Sequence, residues 1–350
     1  MNDLSHSLLY RSPLRPSESL PSFLIRLAKG NFYHSPTMVT QLCQERLTQR
    51  DQVTRPTQTE TYRILAQLIR IGVDELYAAS VQCFASTVAP PDYGHRSILL
   101  PSGKTAPVLT DSILRQHTRP ESDVQFCPLC LKESAHHRIE WFPLAVSVCS
   151  RHQSLLIRGC PNCQERIRVR DVLETRCSNC GFELTQAPIA RVAVDQFGLF
   201  SQSVIQSWFG LCSPMSANNY APLPDEPPAS LYRLLDGLRR AVMSVQHSWS
   251  YLYDAPSGVR SPFFPCASKG DITPAKSYIL YATAFRAMVN WPQGFYNFLD
   301  AYRLRDGQLP SGHIRRDLGR LYSVWLKKSW RHPAFRFVQE AFDRYLLRSH

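Results

Sequence analysis

Apolar residues recur three and four apart over most of this chain, the spacing of amphipathic helices. Leu20, Phe23, Leu24 and Leu27 form the first stripe, opened by Ser19-Leu20-Pro21-Ser22 and stopped at Gly30. Ser35-Pro36 caps a second helix that turns Val39, Leu42 and Cys43 inward. The polar stretch Gln49–Thr59 reads as a loop. A third helix over Glu60–Ile71 lines up Tyr62, Leu65, Leu68 and Ile69, Gly72 breaks it, and a short helix starts at Val73. Helix, glycine turn, helix is the spacing of a helix-turn-helix, although ordinary cores contain such pairs too. Ala89-Pro90-Pro91 and the loop Pro101–Pro107 read as an exit linker.

Beyond residue 190 the helical period returns. It predicts helices over Gln196–Phe209, Leu231–Val245, Ala275–Val289 and Tyr296–Leu304, then Arg315–Trp330 and Pro333–Leu347. Asn218–Pro228 reads as a proline-rich linker, Ala255–Pro274 as a loop, and Trp291-Pro292 as a turn. The last two helices alternate aromatics with Arg and Lys. The plain reading is aromatic core and solvated charge, and the basic faces are also suited to phosphates.

Between these helical regions the period disappears and a different pattern takes over. Four two-ligand clips follow one another: Cys127-x-x-Cys130, Cys149-x-x-His152, Cys160-x-x-Cys163 and Cys177-x-x-Cys180. A clip with two intervening residues lets both side chains reach one ion, and tetrahedral zinc needs two clips. Sequential pairing gives a three-cysteine, one-histidine site and an all-cysteine site, whereas pairing clips one and three describes a cross-brace. The spacing favours the sequential form. A disulfide framework is the rival. The other four cysteines, Cys43, Cys83, Cys212 and Cys266, are scattered, and MNDLSHSLLYRSPLRP has no apolar signal core, which fits a reducing compartment and metal. Four protein ligands per site leave no position for water or substrate, so the sites are expected to be structural. His136 and His137 belong to no clip and are expected as solvent-exposed loop residues. Trp141, Phe142, Leu144, Leu155 and Leu156 are expected to form the small apolar cluster of the zinc region.

These elements give a mainly α protein with small zinc-binding modules. The expected domains are a helix-turn-helix-like N-terminal domain (1–110), a tandem zinc domain (111–188) and a basic helical C-terminal domain (189–350). The net charge of +12 suits an anionic partner such as nucleic acid. Residues 301–350 hold eleven Arg or Lys against four acids, so the excess is concentrated there. Ser102-Gly103-Lys104-Thr105 looks like the end of a phosphate-binding loop, but Ile98 stands where that pattern needs glycine, which argues against a nucleotide site. No stretch of 18 apolar residues exists, so no transmembrane helix is expected and the expected location is cytoplasmic.

The chain resembles the TniQ/TnsD family of transposon targeting proteins. Arg15-Pro16-Ser17-Glu18-Ser19-Leu20-Pro21-Ser22-Phe23-Leu24-Ile25-Arg26-Leu27-Ala28 is similar to the family's N-terminal signature. Phe126-Cys127-Pro128-Leu129-Cys130-Leu131, Trp141, Val148-Cys149-Ser150-Arg151-His152 and Cys160-Pro161-Asn162-Cys163 match its zinc block in order and spacing. Asn290-Trp291-Pro292 and Arg320–Leu326 are similar to segments of longer members. The resemblance implies a bacterial, non-enzymatic adaptor between a target-site recogniser and the AAA+ regulator TnsC, with two structural zinc ions held by the eight clip residues. The length falls nearer TniQ of CRISPR-associated transposons, which docks on an RNA-guided Cascade, than TnsD, which reads an attachment site itself. A TnsD-like sequence-specific DNA binder is the alternative, and a homodimer stays open.

Overall fold

A computed structural model describes residues 8–35, 37–90, 96–214, 222–243, 273–304 and 313–348. It is mainly helical, with three two-stranded antiparallel ribbons among the described residues. The chain divides into two compact units at Ala190/Arg191.

The first unit opens with α1 (Leu20–Gly30), α2 (Met38–Gln44), α3 (Thr59–Ile69) and α4 (Val73–Ala79). Leu20, Phe23, Leu24 and Leu27 are all buried, as the stripe requires. Gly30 is the last helical residue, and the chain turns two residues later at Phe32, with φ +58°. The Tyr33 amide bonds Ala28 O and the Phe32 amide bonds Lys29 O, which is a Schellman end with phenylalanine in the usual glycine place. Gly30 has a different use: the Tyr10 ring lies where a Cβ would stand. The break expected at Gly72 is likewise displaced. Arg70 takes the left-handed conformation, and Gly72 is the ordinary extended cap of α4.

The loop between α2 and α3 is organised by Asp51. Its carboxylate accepts from the amides of Thr57 and Gln58 at 2.9 and 3.1 Å and from the Thr61 hydroxyl at 2.6 Å, tying the chain that enters α3 to the helix's first turn. Tyr62 on α3 meets Ser80 beyond α4, oxygen to oxygen, at 2.9 Å.

A 3₁₀ turn (Val81–Phe84) leads into α5 (Ala85–Val88). The expected exit linker is instead a hairpin of β1 (Ser97–Leu99) and β2 (Thr105–Pro107). Its turn is Pro101–Lys104, with Gly103 at φ +79°, so Ser102-Gly103-Lys104 opens no helix. Tyr77 Oη lies 2.9 Å from Pro107 O and fastens the hairpin to α4.

α6 (Asp111–Leu114) leads to the metal region, which comprises β3 (Gln125–Phe126), α7 (Pro128–Glu133), β4 (Val148–Cys149), β5 (Ser154–Leu155), β6 (Ile157–Arg158) and α8 (Val169–Leu173). β3 pairs with β6 and β4 with β5. Trp141, Phe142, Leu155 and Leu156 are buried and Leu144 is half-buried. The boundary expected at 110/111 lies inside this unit, while that at 188/189 falls two residues from its end. The chain near α1 is stitched to the metal loop: the Ser19 amide bonds His137 O at 2.9 Å, the Ile139 amide bonds Ser17 O at 2.8 Å, and Arg15 Nη1 reaches Ala135 O at 2.8 Å.

The second unit contains α9 (Gln196–Trp208), α10 (Pro228–Met243), α11 (Pro274–Arg286), α12 (Gln293–Arg303), α13 (Ile314–Asp317) and α14 (Arg336–Arg348). Asp195 caps α9 through the Gly198 amide at 2.9 Å and accepts from Tyr278 Oη at 2.6 Å. The helix expected over Arg315–Trp330 is broken. α13 ends, Gly319 takes φ +45°, and Leu321–Leu326 winds as a π-helix closed by the Lys327 amide on Tyr322 O. A 3₁₀ turn follows at Ser329–Arg331, and Gln339 on α14 donates to Leu326 O and Trp330 O, carbonyls that a continuous helix would have satisfied itself. Trp330, Phe335, Phe342 and Tyr345 are buried and Tyr322, Trp325 and Phe337 half-buried, which supports the aromatic-core reading. Most of the sequence read as the linker 218–228 and the loop 255–274, with Pro91 and Cys266, lies outside the described residues or straddles their edge.

Candidate metal centres

The eight clip residues come together as two groups of four, Cys127, Cys130, Cys149 with His152, and Cys160, Cys163, Cys177 with Cys180. This is the sequential grouping. Within each group the candidate ligand atoms all lie within 4.8 Å of one another.

Local backbone explains how each clip converges. Cys127 stands just ahead of α7, with Pro128 at its first position, and Cys130 follows one turn in. The other three clips share a knuckle in which the residue after the second ligand is left-handed. Gln153, Gln164 and Gly181 have φ of +47°, +61° and +74°, and each amide returns at 2.8 Å to the carbonyl of the first ligand: Cys149, Cys160 or Cys177. That return bond folds the two intervening residues outward and both ligands inward.

In the first group Cys130 Sγ lies 3.6 Å from Cys149 Sγ and 3.3 Å from His152 Nδ1, and Nδ1 is 3.5 and 3.6 Å from the sulfurs of Cys127 and Cys149. In the second, Cys160–Cys180 and Cys163–Cys177 sulfur separations are 3.5 and 3.7 Å. Zinc bond lengths set the edges of a tetrahedron at about 3.8 Å between sulfurs and about 3.6 Å between sulfur and nitrogen. Both donor sets therefore fit zinc, and both are closed at four ligands.

In each group one thiol is held low while two of its neighbours, Cys130 and Cys149 or Cys160 and Cys177, are pushed up. The thiols of Cys130 and Cys149 turn toward Cys127 and hold its sulfur as the thiolate, far below the usual thiol range. The Asn162 side chain and the Phe182 amide hold Cys180 down to about 6. Each group thus keeps a thiolate ready for a metal.

Two supporting carboxylates carry no sequence signature. Glu133 ends α7, one turn past Cys130, and its Oε1 lies 3.0 Å from His152 Nε2, the ring nitrogen that faces away from the sulfurs. Arg151 binds the other oxygen of Glu133 at 2.9 Å. Asp171, buried at the start of α8, accepts from the Arg168 amide at 2.8 Å and from the amide of Ser178, inside the last clip, at 3.2 Å. A carboxylate three residues after a helical ligand was a findable signal for Glu133. Nothing local marks Asp171.

His136 and His137 belong to neither group of four, and they are not exposed loop residues either. Both are buried, at 1% and 0% exposure. His136 Nε2 lies 3.1 Å from Pro16 O, and His137 Nδ1 lies 3.0 Å from Ser19 Oγ with its ring edge-on to Trp141. Burial, with His136 alongside, lowers the His137 pKa to about 3, so the ring is neutral. The pair fixes the loop between the first two clips to residues 16–22.

No helix among the described residues is long and apolar enough to cross a membrane. No relative of the chain was found among curated proteins. Compared with known protein families, residues 9–156 match TniQ, a span that takes in α1 to α7 and the whole first ligand group.

Proposed function

We propose, from the premise that this chain carries a TniQ domain and is a transposition-related targeting protein, that it acts as a non-enzymatic adaptor. It holds a target-site recognition complex, an RNA-guided Cascade being the favoured one, and the AAA+ regulator TnsC, which brings in the transposase. The observation that carries this reading is the match over residues 9–156, whose histidines and serines tie the N-terminal segment to a closed ligand set. Two zinc ions would occupy the groups at Cys127, Cys130, Cys149, His152 and at Cys160, Cys163, Cys177, Cys180. With four ligands each they would brace the fold and leave no coordination position for chemistry. The basic residues of the second unit would meet nucleic acid weakly and with steep salt dependence.

The rival reading, a direct reader of one DNA sequence, is disfavoured at α4. Asp74 and Glu75 open that helix where a recognition helix presents Arg, Asn or Gln to bases. Joining two partners raises their effective concentration with no catalytic step. The test is a reconstituted transposition reaction with the full zinc-loaded chain. Targeted insertion should vanish when the chain is omitted, it should retain a TnsC-type ATPase in a pull-down, and alone it should cut no DNA. Failure to retain the ATPase would remove the adaptor reading, and salt-resistant binding to a single duplex sequence would install the direct reader.

A further inference from the structure

Residues 313–331 of the second unit hold six exposed cations, Arg315, Arg316, Arg320, Lys327, Lys328 and Arg331, and one acid, Asp317. Asp317 is 3.6 Å from Arg303. Among the described residues, none of the six forms an ion pair, and Arg315 lies over the Tyr322 ring. A stretch this rich in unmatched charge calls for a polyanion, since a single carboxylate would satisfy one or two of them.

Beside this stretch is a cavity of about 420 Å³, within the range of small-ligand sites. Arg320, Leu321, Val324 and Trp325 line it together with Tyr302 and Met243. Arg240 also lines it, and because Asp236 is shared between Arg240 and Arg239, at 2.8 Å from each, this side of the cavity keeps a net positive charge beside Arg320. The stretch 320–325 lies at and within the π-helix Leu321–Leu326, a winding that recurs at functional sites. Trp325 is held by its neighbours. Its ring sits beside Gly237, where a Cβ would come within 3.0 Å, and its centroid is 5.6 Å from that of Trp330. A braced indole stays in place to stack on whatever enters.

We propose that this cavity takes an unpaired base of a single-stranded nucleic acid, with the base against Trp325 and the backbone phosphates along Arg320 and its neighbouring cations. The inference deepens the reading that the basic region meets nucleic acid and rests on it. Duplex DNA presents phosphates to such a surface but keeps its bases stacked inside, so an aromatic-walled cavity adds nothing for a duplex. A single strand presents both groups at once, and base–aromatic stacking tolerates any sequence. An acidic peptide would match the charges without needing the flat apolar wall.

The test uses the full zinc-loaded chain and fluorescence anisotropy with three 20-unit probes: oligodeoxythymidylate, the same backbone without bases, and a duplex. Oligodeoxythymidylate should bind about 5- to 150-fold more tightly than the base-free strand, the effect of one stacked base. It should also bind more tightly than the duplex. Trp325→Ala should abolish the preference for bases, and Trp325→Phe should keep most of it. Arg320→Ala should lower the slope of log affinity against log salt by about one while leaving the base preference. Because the probe comparison is made with the unaltered chain, it stands even if Trp325→Ala does not fold. Equal binding of the base-bearing and base-free strands would overturn the cavity assignment and leave the basic surface intact. Binding of none of the probes would overturn both, and tighter binding of a polyglutamate peptide than of oligodeoxythymidylate would give the surface to an acidic protein.

Discussion

A histidine can offer either ring nitrogen to a metal, and the hydrogen bond on the other nitrogen selects which. Glu133 holds His152 Nε2 at 3.0 Å, so Nδ1 faces the three sulfurs. Glu133→Ala should therefore weaken zinc binding about 10- to 100-fold in a chelator competition, with Glu133→Gln recovering part of the loss. His137 makes a second residue-scale prediction. Its pKa is lowered to about 3, so between pH 6.5 and 3 the unfolded chain takes up a proton that the folded chain refuses. The stability held at neutral pH should fall on acidification through that window, by about 1.4 kcal/mol per pH unit from this group. Denaturant unfolding at pH 7.5 and 5.5 should show that fall in the native chain and a smaller one in His137→Gln. The two groups of four were readable from sequence because the two-residue clip is itself the geometric requirement. His136 and His137 were misread because what buries them, Pro16 and Ser19, is some 120 residues away.

At the scale of elements, stripes of apolar residues placed α1, α3, α9, α10 and α14 to within a few residues, because burial on one face is what those helices are for. Their ends were less legible. Glycine was expected to stop α1 and α3, and Phe32 and Arg70 take the left-handed positions instead. The hairpin β1–β2 escaped because three-residue strands are too short to show alternation, and the break of the helix expected at Arg315–Trp330 depends on Gln339, outside that segment. Phe32 is the clearest misfit. It sits in a conformation that costs an L-residue about 1–2 kcal/mol, yet its side chain is 91% exposed and recovers nothing by burial. Phe32→Gly should raise stability by about 0.5–1 kcal/mol in denaturant unfolding, since glycine's extra unfolded-state entropy offsets part of the relief.

For the whole molecule, the N-terminal helices and the metal region fall in one unit, because they share stitches that their separate sequence patterns do not reveal. Metal and N-terminal segment should therefore be lost together. Elemental analysis should give two zinc ions per chain, and stripping them should open residues 8–35 to protease at the same chelator concentration that releases the first ion. Cleavage confined to residues 127–180 would show the stitches to be passive.

The same stitches set a timetable for synthesis. Ser19 leaves the ribosome 118 residues ahead of His137, the partner that closes over it. At roughly 5–20 residues per second the first helix must wait on the order of 6–24 s for its other half. Through that interval the apolar stripe of α1 has only its helical neighbours for shelter. A nascent chain stalled before residue 137 should accordingly be a client for chaperones that bind exposed apolar segments, and one stalled after residue 190, with zinc present, should not.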